Sequence, residues 1–411
     1  MVNNIKRDYF WNTLGVFAQN AISPLLLIVI TRVNGIGDSG LFSFAFSLAI
    51  VFWTLGMWGG RVYQVSDIKQ QFLHRSYIFV RWTLAVVVVL LALLFCLLNH
   101  YTAVKTAVIV ALVLFKALES IADAIYGVLQ VHGKLFIVGK SLLYKAVLSF
   151  VAFTLLNWAT GSLLIGCLGI VLVNAVMIAA YDRKNAQKVE DISIHFSALS
   201  SYRKEAVNIL VRTAPVFLVS LLSVLSLNIP RYFIDIYNNS EIAYFGIFAM
   251  PITLIVLVVS FILQPNVVHL SELYAHERFR EFGKNIKQIL LVTSLVSITT
   301  LVGGVMVGIP ILNWIFGINL SHYYNVLVIM LFGGMVNAFV AVFANILTIM
   351  RRLKSQVYIL FFTDTVLLLA SPLIVKTSGL LGGALAFAGV CILQLILLSF
   401  VYVSSMTDSN K

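Results

Sequence analysis

Long apolar runs alternate with short polar breaks along the whole chain. A membrane-spanning helix needs about 20 mostly apolar residues, and runs of this length recur throughout the 411 residues. Twelve predicted helices cover residues 9–32, 40–60, 78–98, 104–130, 137–157, 161–181, 207–227, 242–264, 285–309, 323–349, 358–376 and 380–403. The pattern therefore predicts an all-α polytopic membrane protein with about twelve transmembrane helices.

The longest polar break, YDRKNAQKVEDISIHFSALSSYRKEA, divides this pattern into two halves. The halves share a faint similarity, because GLFSFAFSLAIVF enters the second predicted helix and AYFGIFAMPITLIVL enters the eighth. Six crossings separate the two copies, so both would have the same topology, an arrangement known among transporters. We predict an N-terminal six-helix bundle (1–181), a cytoplasmic linker (182–206) and a C-terminal six-helix bundle (207–411).

The composition requires lipid as the main solvent. Hydrophobic residues make up 61% of the chain and charged residues 11%, and the mean hydropathy is +1.00. Soluble domains contain about 25% charged residues, and a chain with so few cannot cover its surface with them. The composition therefore excludes an ordinary soluble protein.

The net charge of +12 is best explained by the loops. Cytoplasmic loops of membrane proteins are rich in Lys and Arg. With the N-terminus inside, most basic residues fall in predicted inner segments. The predicted outer segments contain only Arg32, Lys105, Arg231 and Lys376. The distribution predicts that both termini are cytoplasmic, and it gives no reason to expect a nucleic-acid partner.

The fourth predicted helix carries charges in an otherwise apolar chain. In FKALESIADAIYGVLQ, Lys116, Glu119, Asp123 and Gln130 share one helix face. A charge at the centre of a membrane helix costs about 2.5–3.5 kcal/mol, so we expect this face to point into the bundle or a wet cavity. One interpretation makes Glu119 and Asp123 coupling or relay groups and Lys116 a substrate contact. The alternative is a structural Lys116–Glu119 pair, with Asp123 bonded to a neighbouring helix.

Three arginines are candidates for binding phosphate, because guanidinium groups match phosphate oxygens bidentately and stay charged. Arg32 ends the first predicted helix, Arg212 lies near the start of the seventh, and Arg231 lies at the outer end of the seventh. Together they could coordinate a diphosphate in a cavity. Alternatively, Arg32 and Arg212 reach the membrane surface by snorkelling, and Arg231 pairs with Asp235.

Three further residues are candidates. Asp364 is the only acidic residue in the eleventh predicted helix, so it either serves coupling or caps the start of that helix. Trp53 and Tyr232 could stack on sugars, although aromatic residues also anchor helices at the membrane surface.

Catalytic sequence motifs are absent. The chain contains no H-E-x-x-H, no G-x-S-x-G and no G-x-x-x-x-G-K-[ST] motif, and the predicted outer loops are short. We therefore expect a transporter that is not an enzyme, with no metal site and no cofactor. Its energy would come from a proton or sodium gradient or from the membrane potential.

Five segments stand out by their order and spacing over most of the chain. They are LLLIVITRVNGIGDSGLFSFAFSL, FKALESIADAIYGVLQVHGKLFIVGKSLLYKAVLSF, SLNIPRYFIDIYNNSEIAYFGIFAMPITLI, FILQPNVVHLSELY and IFGINLSHYY. In this order and spacing the chain resembles bacterial polysaccharide repeat-unit flippases of the multidrug/oligosaccharidyl-lipid/polysaccharide exporter superfamily.

The resemblance implies a specific activity. Such flippases move undecaprenyl-diphosphate-linked oligosaccharides from the inner to the outer leaflet of the bacterial cytoplasmic membrane. They do so by alternating access, with two six-helix bundles around a central cavity. Their setting implies membrane lipid, a polysaccharide polymerase and glycosyltransferases as partners.

The lipid II flippases of this superfamily provide a more detailed comparison. They carry an arginine in an S-R-x-x-G context that contacts the diphosphate, and T-R-V-N-G places Arg32 at the matching position. Those flippases have fourteen helices and further arginines in the second helix, whereas this chain has twelve predicted helices and no arginine there before Arg61. The resemblance therefore favours an oligosaccharide unit for capsule or another surface polymer.

Two alternatives stay open. A multidrug or small-molecule antiporter of the same superfamily would share the fold. An integral-membrane polysaccharide polymerase would normally have a sizeable external loop with charged residues, which this pattern does not predict.

Overall fold

A computed structural model describes residues 2–67, 71–194 and 199–409, and nearly all of them are helical. The helices are α1 (Val2–Val33), α2 (Ile36–Met57), α3 (Gly60–Ser66), α4 (His74–Leu98), α5 (Ala103–Val131), α6 (Leu135–Thr160), α7 (Leu163–Met177), α8 (Arg183–Gln187), α9 (Leu199–Tyr237), α10 (Ile242–Ala275), α11 (Phe279–Phe316), α12 (Tyr324–Ile349) and α13 (Leu353–Ser409). Lys69 and Lys411, which the orientation prediction counts as inner, lie outside the described residues, as do residues 195–198 of the predicted linker.

Within the described residues, ten helical segments are long and apolar enough to cross a membrane. α5 is not among them because of its charges, although its 29 residues are long enough. α13 is interrupted at Gly379, where φ is 53° and ψ is −133°, and each of its two parts is long enough to cross once. With α5 included and α13 divided, these segments match the twelve predicted helices and confirm an all-α multi-pass membrane protein.

The chain separates into two compact units, Met1–Leu221 and Leu222–Lys411. The division falls inside α9, while the bundle boundaries proposed from the sequence stay a prediction. In the first unit, α5 is the central helix and contacts α2, α3, α4, α6, α7 and α8. The charged stripe of α5 therefore lies on a helix that is surrounded by other helices.

Two glycines allow α1 and α6 to cross closely. A Cβ atom on Gly139 would collide with the backbone of Trp11 and Asn12, and one on Gly15 would collide with the Gly139 carbonyl. Small residues at such crossings are typical of membrane helices, because packing replaces the hydrophobic effect as the attraction between helices. The crossing holds α1 against the bundle that contains α5.

The second unit has its own core around α12. This helix contacts α10, α11 and α13, and the buried core residues include Ile255, Phe282, Ile346 and Leu398. The second unit therefore has a buried apolar core of its own.

Candidate functional site

The charged stripe of α5 begins with a buried ion pair. Lys116 Nζ donates to Glu119 Oε2 at 2.6 Å, and Gln19 of α1 donates to the other carboxylate oxygen of Glu119. The side chains of Lys116 and Glu119 are 12% and 8% exposed. The pair that the sequence allowed at i, i+3 is therefore formed, and it is neutral as a whole.

Aromatic rings surround the ammonium group of Lys116. Its Nζ atom lies 4.8, 5.1 and 5.8 Å from the ring centroids of Phe115, Phe46 and Trp53. Cations are attracted to aromatic faces at this range, which helps to hold the charge among apolar helices. Trp53 is thus a neighbour of Lys116, and its Nε1 has no hydrogen-bond partner within the described chain.

Asp123, further along the same stripe, lies between two arginines. Its Oδ1 is 3.5 Å from Arg61 Nε, and its Oδ2 is 4.0 Å from Arg81 Nη2. The side chains of Arg61, Asp123 and Arg81 are 26%, 16% and 6% exposed. One carboxylate therefore faces two guanidinium groups, and the cluster has a formal charge of +1.

Arg81 also closes the end of α2. Its Nη1 donates to the Gly56 carbonyl at 3.0 Å and to the Met57 carbonyl. Carbonyl groups at a helix C-terminus lack intrahelical partners and carry a partial negative charge, so a cation stabilises them. This contact fixes the position of Arg81 more firmly than its 4.0 Å approach to Asp123 does.

Neither arginine partner of Asp123 was proposed as a site residue from the sequence. Arg61 was placed in an inner segment, and Arg81 lies inside the third predicted helix without an assigned role. The signal for Arg81 was present, because a charge in the run IFVRWTLAVVV poses the same problem as the charges of α5. The partnership with Asp123 depends on helix packing, which the sequence pattern does not give.

A second buried ion pair lies between α6 and the end of α7. Lys145 Nζ is 2.5 Å from Asp182 Oδ2 and donates to the Tyr126 hydroxyl at 2.9 Å. The Ser141 hydroxyl donates to Asp182 Oδ1 at 2.5 Å. Lys145 and Asp182 are 4% and 0% exposed, so the hydrogen bonds replace the water that these charges lose.

A π-helical turn positions Asp182. α7 continues into this turn at Ile178–Asp182 before α8 begins, and such turns change which side chains face the bundle. The predicted linker begins at Asp182, because this residue lies in the longest polar stretch of the sequence. A polar run that looks like a loop thus supplies a carboxylate to the core.

A small cavity is lined by both Glu119 and Lys145. Its volume is about 10 Å³, which is room for about one water molecule. The polar residues that line it are Gln19, Glu119, Lys145, Ser149 and Asn174. A sugar cannot enter a space of this size, so this cavity in the first unit does not hold an oligosaccharide.

Asp364 of α13 is buried in the second unit and is 5% exposed. Its Oδ1 accepts a hydrogen bond from the Ser226 hydroxyl at 2.9 Å. Gln394 Nε2 donates to the same hydroxyl at 2.9 Å and to Thr363 Oγ1 at 3.1 Å. Asp364 Oδ2 has no hydrogen-bond partner in the described part of the chain, and no described cation pairs with this carboxylate.

The remaining candidates of the second unit lie on α9. Arg231 is 8% exposed, and its Cζ lies 5.3 Å from the ring centroid of Phe245. Asp235 is also buried and accepts a hydrogen bond from Asn239 at 2.9 Å. Tyr232 is half-buried beside Phe233.

The two remaining candidate arginines, Arg32 and Arg212, lie in the first unit and are exposed. Arg32 lies in the last turn of α1. Arg212 of α9 donates to Gln71 Oε1, and its Cζ lies 5.3 Å from the ring centroid of Phe72. The structure therefore brings together Lys116, Glu119 and Trp53 from the proposed set, and it places Arg32 and Arg212 on the surface of their unit.

A search for matching family models found none. A relative in sequence is the capsular polysaccharide biosynthesis protein CapF of Staphylococcus aureus. It is 23% identical over 324 residues, which cover 77% of this chain and 80% of CapF.

Solved structures with a similar fold include transporters and a flippase. An inward-facing multidrug resistance MATE family transporter of the MOP superfamily has a TM-score of 0.73 at 11% identity, over 95% of this chain and 96% of its own. The lipid II flippase MurJ, in an inward closed conformation, has a TM-score of 0.71 at 13% identity, over 100% of this chain and 90% of its own. The chain therefore has the fold of MATE transporters and MurJ, which confirms the predicted fold class.

Proposed function

We propose that this chain is a flippase that moves undecaprenyl-diphosphate-linked oligosaccharide repeat units from the inner to the outer leaflet by alternating access. The product would serve the synthesis of capsule or another surface polysaccharide. The observation that carries the proposal is a fold shared with a lipid II flippase, combined with sequence similarity to a capsular polysaccharide biosynthesis protein over 77% of the chain.

The diphosphate of the carrier lipid needs cationic contacts. Arg32, Arg212, Arg231 and Lys116 are the proposed ones, and Trp53 and Tyr232 are proposed to contact sugars. The exposure of Arg32 and Arg212 supports a role in binding the diphosphate, because a substrate must be able to reach them. Lys116 is less accessible, since Glu119 and three aromatic rings already hold it.

The membrane potential can drive part of the transport. Moving one elementary charge across the membrane is worth about 2.3 kcal/mol per 100 mV. A diphosphate is anionic, so a negative interior favours its movement outward. This energy source requires no cofactor.

Coupling to a proton or sodium gradient is proposed for Asp364, with Glu119 and Asp123 as further candidates. Glu119 is paired with Lys116, and Asp123 faces two arginines. Asp364 has only neutral partners in the described residues. A buried carboxylate without a counter-charge is costly, so a bound proton or cation would stabilise the second unit most directly at Asp364.

Reconstitution tests the proposed function. The purified chain would be placed in liposomes together with a fluorescent undecaprenyl-diphosphate oligosaccharide, and a membrane-impermeant quencher would report how much of the lipid changes leaflet. We expect faster exchange than in protein-free liposomes, and no acceleration for a fluorescent phosphatidylcholine. Equal rates with and without protein, under an imposed potential and under proton and sodium gradients, would refute the proposal.

A multidrug antiporter is the second candidate, and the similarity to MATE transporters favours it. The two candidates differ in the substrate that they move. In a cell that lacks its own repeat-unit flippase, the proposed function predicts restored surface polysaccharide and unchanged drug resistance. Increased resistance to cationic drugs without restored polysaccharide would support the antiporter. A polysaccharide polymerase and glycosyltransferases of the cell in which export is restored are the proposed partners of the chain.

A further inference from the structure

The cluster of Arg61, Arg81 and Asp123 contains more positive than negative charge. Two guanidinium groups face one carboxylate. Arg81 is 5% exposed, so little water reaches it. A buried charge normally has a partner, because the loss of hydration is expensive. Among the residues that the structure describes, the cluster therefore has one cation more than it has anions.

The geometry shows that Asp123 satisfies the arginines only in part. Charge-assisted N–H···O bonds are about 2.7–2.9 Å long, whereas the two contacts here are 3.5 and 4.0 Å. Three buried side-chain atoms of these residues have no hydrogen-bond partner in the described chain. They are Arg61 Nη1, Arg81 Nε and Asp123 Oδ2.

An anion with several oxygen atoms would fit these donors better than one carboxylate. Phosphate oxygens accept bidentate hydrogen bonds from guanidinium groups, and such an anion could engage Arg61 Nη1 and Arg81 Nε, which Asp123 leaves free. The cluster is also accessible from one side, since the side chains of Arg61 and Asp123 are 26% and 16% exposed. Arg81 is held at the end of α2 by two carbonyl groups, so one of the two donors is already positioned.

We propose that Arg61 and Arg81 form a binding site for a diphosphate group, and that Asp123 occupies this site until the diphosphate displaces it. Asp123 then acts as an internal competitor that neutralises the arginines when no substrate is bound. The exchange needs no covalent step, because one anion replaces another at the same two guanidinium groups. This inference rests on the proposed function for the identity of the ligand as a lipid diphosphate.

Binding of small diphosphates to the purified, full-length chain in detergent tests the inference. The probes are farnesyl diphosphate, inorganic pyrophosphate and uncharged farnesol, measured by calorimetry and by thermal stabilisation at constant salt and pH. Binding of both diphosphates at similar strength indicates a site for the anion alone. Stronger binding of farnesyl diphosphate indicates a site for a lipid diphosphate.

The direction in which Asp123→Asn changes the diphosphate affinity shows whether Asp123 competes with the ligand, binds it or has a purely structural role. We expect Asp123→Asn to tighten diphosphate binding by about tenfold or more, because it removes the competing charge, and Arg61→Gln to weaken it by about tenfold or more. Arg61→Lys should fall between Arg61→Gln and the wild type, because lysine keeps the charge but loses the fork. Glu281→Gln, which removes an exposed carboxylate 53% accessible to solvent, is the matched control and should have no effect.

Three results would overturn the inference: no diphosphate binding to the wild type or to Asp123→Asn, weaker binding by Asp123→Asn, or unchanged binding by Arg61→Gln. If Asp123→Asn does not fold, the comparison of Arg61→Gln with Arg61→Lys still shows whether the guanidinium group of Arg61 binds the diphosphate. The outcome is independent of the flippase test. Diphosphate binding without leaflet exchange would refute only the proposed function, and exchange without binding at Arg61 would refute only this inference.

Discussion

The buried pair of Lys145 and Asp182 allows a quantitative test of how the first unit is stabilised. We consider Lys145→Met, Asp182→Asn and the double variant. Each single change removes one charge and leaves the other buried. The double change removes both, so it leaves no uncompensated charge.

The expected magnitude follows from burial. Lys145 and Asp182 are 4% and 0% exposed, and breaking a buried pair by removing one partner costs about 3–5 kcal/mol. After Lys145→Met, Asp182 keeps the Ser141 hydroxyl as its donor among the described side chains, and after Asp182→Asn, Lys145 keeps the Tyr126 hydroxyl. We therefore expect each single variant to lose about 3–5 kcal/mol, and the double variant to lose clearly less than the sum of the two.

The measurement is equilibrium unfolding of the purified variants in detergent, combined as a double-mutant cycle. The amount of protein in the membrane provides a second readout, because a loss of this size is a large part of a typical stability of about 5–15 kcal/mol. The matched control is the exposed pair of Arg278 and Glu281, whose side chains are 56% and 53% exposed. Exposed pairs contribute about 0–1 kcal/mol, so removing either partner should change the free energy of unfolding very little.

Two results would refute this reasoning. If the losses of the single variants add within about 0.5 kcal/mol in the double variant, the two charges do not depend on each other. If neither single variant is destabilised, burial of these charges costs less than the structure implies.

Three further predictions follow from other parts of the chain. Gly139→Ala should destabilise the protein by about 1–3 kcal/mol or more in the same unfolding assay, because the new Cβ meets the backbone of Trp11. The control is Gly283→Ala, which should be neutral or slightly stabilising because nothing lies within 4 Å of its new Cβ. Asp364→Asn should preserve folding, since the amide can still accept from Ser226, but transport should no longer respond to a proton or sodium gradient; a normal response would exclude a coupling role. Arg32→Ala should abolish polysaccharide export in a complementation assay at an unchanged membrane level, and normal export would count against a role in binding diphosphate.

Periodicity and composition were sufficient to predict the helices, because lipid imposes the same requirement on every crossing. The exceptions have physical causes. The sequence predicts a break between the eleventh and twelfth helices. In the structure, α13 runs through both of them and is interrupted by a kink at one residue, Gly379. The polar run that starts at Asp182 was interpreted as a linker, although a π-helical turn directs this side chain into the core.

The candidate site was less predictable, because pairing depends on the approach of distant helices. The sequence could show that the charges of α5 share one face, and the Lys116–Glu119 pair, which lies within one helix, was foreseen as an alternative. The arginines that face Asp123 come from α3 and α4. No spacing along the chain connects Arg61 or Arg81 with Asp123, so this cluster could be recognised only from the packed structure.

The two units differ in the kind of charge that they lack. In the first unit, the pairs Lys116–Glu119 and Lys145–Asp182 are neutral, and the cluster at Asp123 has one cation too many. In the second unit, Asp364 is a buried carboxylate with neutral partners among the described residues. An anion bound to Arg61 and Arg81 would therefore stabilise the first unit, and a proton or cation bound to Asp364 would stabilise the second. For a flippase that couples an anionic lipid to a cation gradient, we propose that the diphosphate binds at Arg61 and Arg81 of the first unit and that the coupling ion binds at Asp364 of the second. Asp123→Asn should consequently raise the affinity for diphosphate, whereas Asp364→Asn should abolish the response to the gradient and leave the affinity for diphosphate unchanged.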